Sequence, residues 1–201
     1  MRIKLSLHNH TNLSDGYFTV SGLLRVCRDA GYNVVAITDH NIVTVSHPLQ
    51  LTEVPDLLVL TGVEVTFPRL HLICLEPTCT NMGVIGLIHS ARVSWIAHPG
   101  LSMINRLDCM KLCRHHGLDG VELYNSGIRQ LKGDFSRRLY AVDDLHVPSQ
   151  LMTSWIEMNV QSLDKEEVLA KLKSGDYELR NQPRDILDPF PGFEKWRQQH
   201  E

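Results

Sequence analysis

His8 and His10 stand one residue apart at the end of an apolar stretch, Leu5-Ser6-Leu7, and Asp15-Gly16 follows a few residues later. On an extended strand, side chains two apart project from the same face, so the two imidazoles converge on one point. Converging imidazoles suit a divalent cation. A lone His-x-His pair also occurs on ordinary strand surfaces; what singles this one out is its company. The chain has 11 histidines in 201 residues, and several follow separate apolar runs, as do acidic residues. Thr38-Asp39-His40 closes the run Val34–Ile37, and Gly62-Val63-Glu64 closes a run that opens at Asp56. His98-Pro99-Gly100 follows Val93–Ala97, and Asp143-Asp144-Leu145-His146 follows Leu139–Val142. Imidazoles and carboxylates without a thiolate suit Zn²⁺, Mn²⁺ and Fe²⁺ alike. A carboxylate such as Glu64 has two oxygens and can bridge two cations. Bridged cations acidify a shared water and yield hydroxide near neutral pH.

Such residues meet only if the scaffold returns successive strand ends to one side. Strands are expected at residues 2–7, 34–37, 56–65, 70–75, 93–97, 120–124, 139–142 and 153–160. Helices are expected at 19–30, 46–53, 81–91, 103–116 and 164–174, with Gly31, Gly117 and Gly175 as stops and Asp164 or Ser162 as a cap. The polar and basic stretch 127–138 reads as helix or loop. Strands alternating with helices imply a parallel α/β sheet or barrel, whose strand carboxyl ends share one face where sites form. Ligand-type residues at five strand ends then meet in one cleft, which is the case for a metal site. His71 breaks the pattern, since it starts its strand: either that strand runs the other way or His71 is a core histidine. Asp39 reads as a carboxylate orienting His40. Glu122, inside Val-Glu-Leu-Tyr-Asn, reads as a supporting acid or an extra ligand. Alternation turns Asp143 away from the face that Asp144 and His146 share. His47, His89, His115, His116 and His200 lack a strand-end setting and read as surface or helix residues.

Composition bounds the rest. A 43% apolar chain of this length can bury a full core as one domain. We expect that domain at 1–180 and an irregular tail at 181–201, rich in Pro, Gly and charge and packed by Phe190, Phe193 and Trp196 or loose. The net charge of −3 does not mark a nucleic-acid or anionic-membrane binder. With no run of 18 apolar residues and no signal-like start, a cytoplasmic protein without membrane contact is expected. Cys27, Cys74, Cys79, Cys109 and Cys113 read as buried free thiols.

Taken together and in order, His8-Asn9-His10 with Asp15-Gly16, Thr38-Asp39-His40, Gly62-Val63-Glu64, His71 in Leu-His-Leu-Ile-Cys-Leu, Ala97-His98-Pro99-Gly100 and Asp144-Leu145-His146 resemble the polymerase and histidinol phosphatase (PHP) family. The resemblance spans His8 to His146 and fades toward Tyr177. It implies an α/β fold, a distorted, trimmed (βα)7 TIM-like barrel, holding two or three divalent metal ions (Zn, Mn or Fe). It also implies that His8, His10, Glu64 and Asp144 hold one metal. Glu64 bridges to a second completed by His71 and His98, and Asp15, His40 and His146 hold a third. Leu101 departs from the family, which often has a basic residue directly after His-Pro-Gly.

The implied activity is metal-dependent hydrolysis of a phosphomonoester, a nucleotide or a small phosphorylated metabolite, by in-line attack of a metal-bridging hydroxide. The choice of phosphoester over amide chemistry comes from the resemblance alone. Asp15 and His146 are the candidates to assist the leaving group. Arg69, Arg129 and Arg137 are the candidate substrate-binding cations, with Arg92, Lys132 and Arg138 beside them. The alternative, a 3′–5′ exonuclease or nucleotide phosphodiesterase, has the basic stretch 129–138 in its favour, but few stacking aromatics accompany it. A noncatalytic metal-binding module fits less well, because no ligand position has been lost.

Overall fold

The computed structural model describes residues 1–43, 54–78, 84–183 and Gln198. The expected helix at 46–53, His47, Cys79, His200 and the tail with Phe190, Phe193 and Trp196 lie outside the described residues. The described strands are β1 (Arg2–Ser6), β2 (Val34–Ile37), β3 (Leu58–Phe67), β4 (Leu70–Leu75), β5 (Val93–Ala97), β6 (Gly120–Asn125), β7 (Ile128–Arg129), β8 (Arg138–Val142), β9 (Ser154–Asn159) and β10 (Glu178–Asn181). The helices are α1 (Val20–Asp29), α2 (Val84–Ser90), α3 (Arg106–His116) and α4 (Lys165–Ser174).

The strands form one mixed sheet in the order β10-β9-β1-β2-β3-β4-β5-β6-β7, with β8 on β6. The sheet curls into a half-barrel, and past the end of β8 a parallel bridge joins Leu145 to Asn9 beyond β1. The all-parallel expectation is corrected. Pairs β1/β2, β2/β3, β5/β6 and β6/β8 are parallel, but β3/β4, β4/β5, β1/β9 and β9/β10 are antiparallel. The cause is local: Pro68-Arg69 joins β3 to β4, and a two-residue turn closes only a hairpin. β4 therefore runs the other way, which is how His71, at its start, reaches the same end of the sheet as Glu64; it pairs with Thr66.

Alternation sorts each strand between two cores. Val34 and Ala36 of β2 join the inner cluster with Leu5, Leu60, Trp95, Tyr140 and Ile156, whereas Val35 and Ile37 face α1 through Leu23, Leu24 and Cys27. A strand buried on both sides reads as a continuous apolar run. Val168, Leu169 and Leu172 of α4 close the inner core at its far end, where the Tyr140 hydroxyl donates to Leu172 O. The third cluster packs α2 and α3 on the outer side of β3–β6, with Cys109 and Cys113 buried in it. Among the described residues Cys27, Cys74, Cys109 and Cys113 are buried and free.

Helix boundaries follow their caps. Thr19, Asn105 and Asp164 accept the N–H three residues on, and Gly117 and Gly175 end α3 and α4 in the left-handed region at φ 68° and 84°. Asn105 explains why α3 starts at Arg106 rather than Met103. The stretch 127–138 is neither helix nor plain loop at its start, for β7 forms a hairpin on β6. β10 was not expected. Glu178-Leu-Arg-Asn lacks an apolar run because it is an edge strand whose charged side chains pair across β9 and β1, Arg180 with Glu157 and Arg2 with Glu178. No helix among the described residues is long and apolar enough to cross a membrane.

Asp143 locks the half-barrel shut. Its carboxylate accepts from the Tyr32 hydroxyl at 2.5 Å, from the N–H groups of Met152, Thr153 and Ser154 at 2.8–3.0 Å, and from the Thr153 hydroxyl. Asp143→Ala strands these donors in a water-free site, each at about 1–3 kcal/mol. We expect a loss of at least about 3 kcal/mol in urea unfolding, with metal content of the folded fraction unchanged.

Candidate metal centre

β1 stops at Ser6, and an irregular extension carries the two histidines. Asn9 fixes it: its side chain donates to Ser6 O and Ala36 O and accepts from the Ser6 hydroxyl. His8 and His10 are consequently immobilised and fully buried, with their Nε2 atoms 3.0 Å apart. The chain then turns back on itself. Thr11 N–H, the Thr11 hydroxyl and the Ser14 hydroxyl all donate to buried Asp39. Asp39 thus holds the 11–14 turn that presents Asp15, rather than His40 as expected.

Gly16 is required by the same turn. A Cβ at this position would lie 2.2 Å from His10 O, and Gly16 N–H donates to Thr11 O. Gly16→Ala forces the turn open at about 1–3 kcal/mol. We expect a matching drop in melting temperature and weakened metal binding on the Asp15 side of the centre, read by calorimetric titration.

Glu64 is the hub. Its Oε1 lies 2.7 Å from His71 Nδ1 and 2.9 Å from His98 Nε2. Its Oε2 lies 3.1 Å from His8 Nε2, His10 Nε2 and His40 Nδ1. Asp144 faces it, with Oδ1 at 3.3 Å from His8 Nε2 and 3.4 Å from both His10 Nε2 and His146 Nδ1. On the outer side Asp15 lies 3.4–3.5 Å from His10 Nδ1, His40 Nε2 and His146 Nε2. His98 and Asp144 both have positive φ, 23° and 51°. His and Asp tolerate such backbone better than most residues, and strain of this kind gathers at functional sites.

Behind the cluster stands Glu122. Its Oε1 accepts from Trp95 Nε1 at 3.0 Å and faces His8 Nδ1 at 2.9 Å; its Oε2 accepts from His98 N–H at 2.7 Å and Asn125 Nδ2 at 2.9 Å. With both oxygens occupied by donors, Glu122 orients His8 and the His98 backbone. Asn125 also donates to Asp144 Oδ2. Trp95 and Asn125 were not anticipated, since hydrogen-bonding roles across 27 and 19 residues leave no local pattern.

The charges are mutually dependent. Burial pushes the Glu64 carboxyl up, but the imidazoles of His8, His10 and His71 hold it far below the usual carboxylate range. Burial does the same to Asp144, and His8, His10 and His146 outweigh it. His8 is pushed down by burial, yet Asp144, Glu64 and Glu122 carry it well above the ordinary imidazole value. His40 ends below that value, because burial and the neighbouring imidazoles outweigh Glu64 and Asp15.

These positions fit divalent cations. Five separations among His8 Nε2, His10 Nε2, Glu64 Oε2 and Asp144 Oδ1 run from 3.0 to 3.4 Å. Ligand atoms 2.0–2.1 Å from a tetrahedral ion sit about 3.3 Å apart. Asp144 Oδ1 is buried and makes no aligned hydrogen bond despite three ring nitrogens around it, as an atom shaped for a cation would. Four overlapping groups have ligand atoms within 4.8 Å of one another: His8/Glu64/His98, His8/His10/Asp144, His40/Glu64/His71 and His10/Asp15/His40/His146. All nine expected ligand residues belong to them. His8, His10 and Glu64 form a sealed floor, while Asp15 is 54% exposed and His40, His71 and His146 about a quarter, which makes theirs the open side.

The candidate cations divide. Arg69 is exposed in the β3–β4 turn, beyond the Thr66–His71 pair and on the site's end of the sheet. Arg129 is in the β6–β7 hairpin opposite Tyr124, with Nε donating to Leu131 O. Arg137 is not brought to the centre: it precedes β8, whose far end carries Asp144, and lines a 720 Å³ cavity with Phe135, Ser174 and Tyr177 at the opposite end. Sequence proximity to Asp144 misled because a whole strand intervenes. Arg92 is likewise at the start of β5 and pairs with Glu166. His89, His115 and His116 are on the outer helices α2 and α3.

No family model matches the sequence, and no curated protein matches it. Solved structures do. A two-domain Bacteroides vulgatus protein containing a predicted PHP-like metal-dependent phosphoesterase superposes with a TM-score of 0.71 at 15% identity, over 97% of this chain and 70% of that one. The lesion-specific endonuclease Q from Pyrococcus furiosus superposes with a TM-score of 0.62 at 16% identity, over 89% of this chain and 58% of that one. An amidohydrolase from Chromobacterium violaceum, with bound sulfate and no metal, gives 0.56 at 13% identity over 92% and 99%. At these identities the likeness speaks for the fold, and in three dimensions the resemblance read from the motifs holds: this chain has the fold of the PHP-like metal-dependent phosphoesterases.

Proposed function

We propose that this protein is a metal-dependent phosphoesterase that hydrolyses a phosphomonoester, a nucleotide or small phosphorylated metabolite. The carrying observation is Glu64, one buried carboxylate whose two oxygens face five imidazoles from four different strands. His8, His10, Glu64 and Asp144 would hold one cation, Glu64 with His71 and His98 a second, and Asp15, His40 and His146 a third. Bound cations would supply Lewis acidity to the phosphoryl oxygens and acidify the attacking water. The protein's own contribution is placement. Glu122 presents Nε2 of His8 to the centre by engaging Nδ1, and the sealed floor lets substrate approach only from the Asp15 side. There Asp15 and His146, 3.4 Å apart at their closest, would stand beside the leaving oxygen and assist its departure. Water oxygen bonds to phosphorus, the ester P–O bond breaks, and the leaving oxygen takes up a proton in place of the one that the attacking water gives up to solvent. Arg69 and Arg129 would meet the anionic substrate.

The test is phosphate release from a panel of monoesters by protein reconstituted separately with Zn²⁺, Mn²⁺ and Fe²⁺. We expect turnover that vanishes on chelation and in His10→Ala. Absence of turnover with every metal would remove the reading. The endonuclease likeness supports a second reading, a nuclease or phosphodiesterase at the same centre; shortening of a labelled oligonucleotide faster than monoester cleavage would select it.

A further inference from the structure

The exposed large apolar side chains are not scattered over this molecule. Apart from Met1 and Ile85, all of those among the described residues sit on the loops that carry the candidate metal centre, on the first turn of α3 directly after one of them, or, for Ile128, in the β6–β7 hairpin. Leu13 lies between His10 and Asp15. Tyr17 N–H donates to His146 O, and Val147 follows His146. Ile42 is two residues past His40. Leu101, 66% exposed, donates its N–H to His98 O, and Met103, 87% exposed, projects from the same turn with φ 54°. Ile128 pairs with Asn125, the residue that holds Asp144.

The opposite end of the half-barrel is built the other way. Its surface is laced with ion pairs: Arg2 with Glu157 and Glu178, Arg92 with Glu166, and Lys165 with Glu76. Isolated apolar residues on a surface need no explanation, but a contiguous group at one place marks something that binds there. This group lies on the segments at the end of the fold where buried acids and imidazoles converge. It is therefore continuous with the reacting centre and not a separate face.

We infer that the ring of apolar side chains is a specificity collar, and that the substrate is a phosphomonoester whose leaving group is bulky and apolar. The inference rests on the phosphoesterase reading above. The phosphoryl group goes to the polar floor, and the leaving group lies outward against Leu101, Met103 and their neighbours, where it sheds water. A polynucleotide suits this collar poorly. Strand binding uses a cationic track with stacking aromatics, and the described mouth offers Arg69, Arg106, Arg129 and Tyr17 set among aliphatic side chains.

The test is a series of n-alkyl phosphates from ethyl to octyl, kept below micelle-forming concentrations. Leaving-group acidity is constant along such a series, so only apolar contact changes. We expect kcat/KM to rise about tenfold or more from ethyl to octyl, and the octyl-to-ethyl ratio to fall toward one in Leu101→Asp and Met103→Ser. Calorimetric titration of the matching alkyl phosphonates into metal-loaded protein reads the collar without turnover. Affinity and the negative heat-capacity change should both grow with chain length. A flat series by both measurements overturns the collar while leaving the phosphoesterase reading intact. No turnover with any ester, but phosphonate binding that grows with chain length, removes that reading and leaves the collar. A dimer in light scattering that Leu101→Asp disperses assigns the ring to a second copy of the chain and overturns the inference.

Discussion

Glu64→Gln is expected to empty most of the centre and to reduce turnover by about a thousandfold or more, the scale on which removing one electrostatic support of a transition state is felt. The substitution keeps shape and volume, so folding is not the issue. What changes is that one of two acceptor oxygens becomes a donor with no lone pair for a cation. Oε1 serves His71 and His98, and Oε2 serves His8, His10 and His40. Whichever way the amide turns, one of these sides loses its anionic partner. The other is left with a neutral oxygen, a weaker ligand for a hard cation than a carboxylate. The loss should be visible as fewer metals per chain by plasma mass spectrometry, before any substrate is added. A glutamine variant with full metal content and undiminished turnover would show that Glu64 is a structural acid, and the assignment of the hub would fall with it. Asp39→Asn is a useful contrast. It loosens the 11–14 turn without touching the floor, so its effect on metal content should be partial and confined to weakly held metal.

Chelation should be the largest single perturbation of stability. A ligand bound to the folded chain alone stabilises it by about 4 kcal/mol per site when present at a thousand times its dissociation constant. For a domain of this size, about 2–4 °C of melting temperature accompanies each kcal/mol, so saturating one site should raise the midpoint by about 8–16 °C over the chelated protein. The buried floor sharpens the expectation. Without cations, His8, His10, Glu64 and Asp144 remain desolvated and depend on one another for charge balance. The measurement is a melting curve with and without chelator, at several metal concentrations. A midpoint indifferent to metal would mean that the cluster is satisfied as it stands.

Much of the centre is legible along the chain because the relevant side chains follow apolar runs, and runs are what strands look like. His40, His98 and Asp144 could each be placed past a strand's end from local pattern, and Asp143 could be turned away from Asp144 by alternation; Glu64, expected at the end of its strand, lies inside β3 because the hairpin with β4 carries that strand on to Phe67. The hairpin direction of β4 stayed open from sequence, since His71 fits either a reversed strand or a core position; the brevity of Pro68-Arg69 settles it. What local pattern does not carry is support. Glu122, Trp95 and Asn125 act through bonds to residues that only the fold brings near. Arg137 and Arg92 show the converse error, since closeness in sequence to a strand-end residue places a side chain at the wrong end when a strand lies between. β10 escaped notice because an edge strand satisfied by charged pairs has no apolar signature.

The position of β1 has a consequence for how the chain reaches this state. β1 is flanked on one side by β2 and on the other by β9, so Leu5 sits opposite both Val34 and Ile156. During synthesis the first strand must wait for some 150 further residues before its second neighbour leaves the ribosome. Pairings so distant in sequence slow folding, and an unpaired edge invites association with other chains meanwhile. The histidines just beyond that strand are therefore made long before they are locked in place.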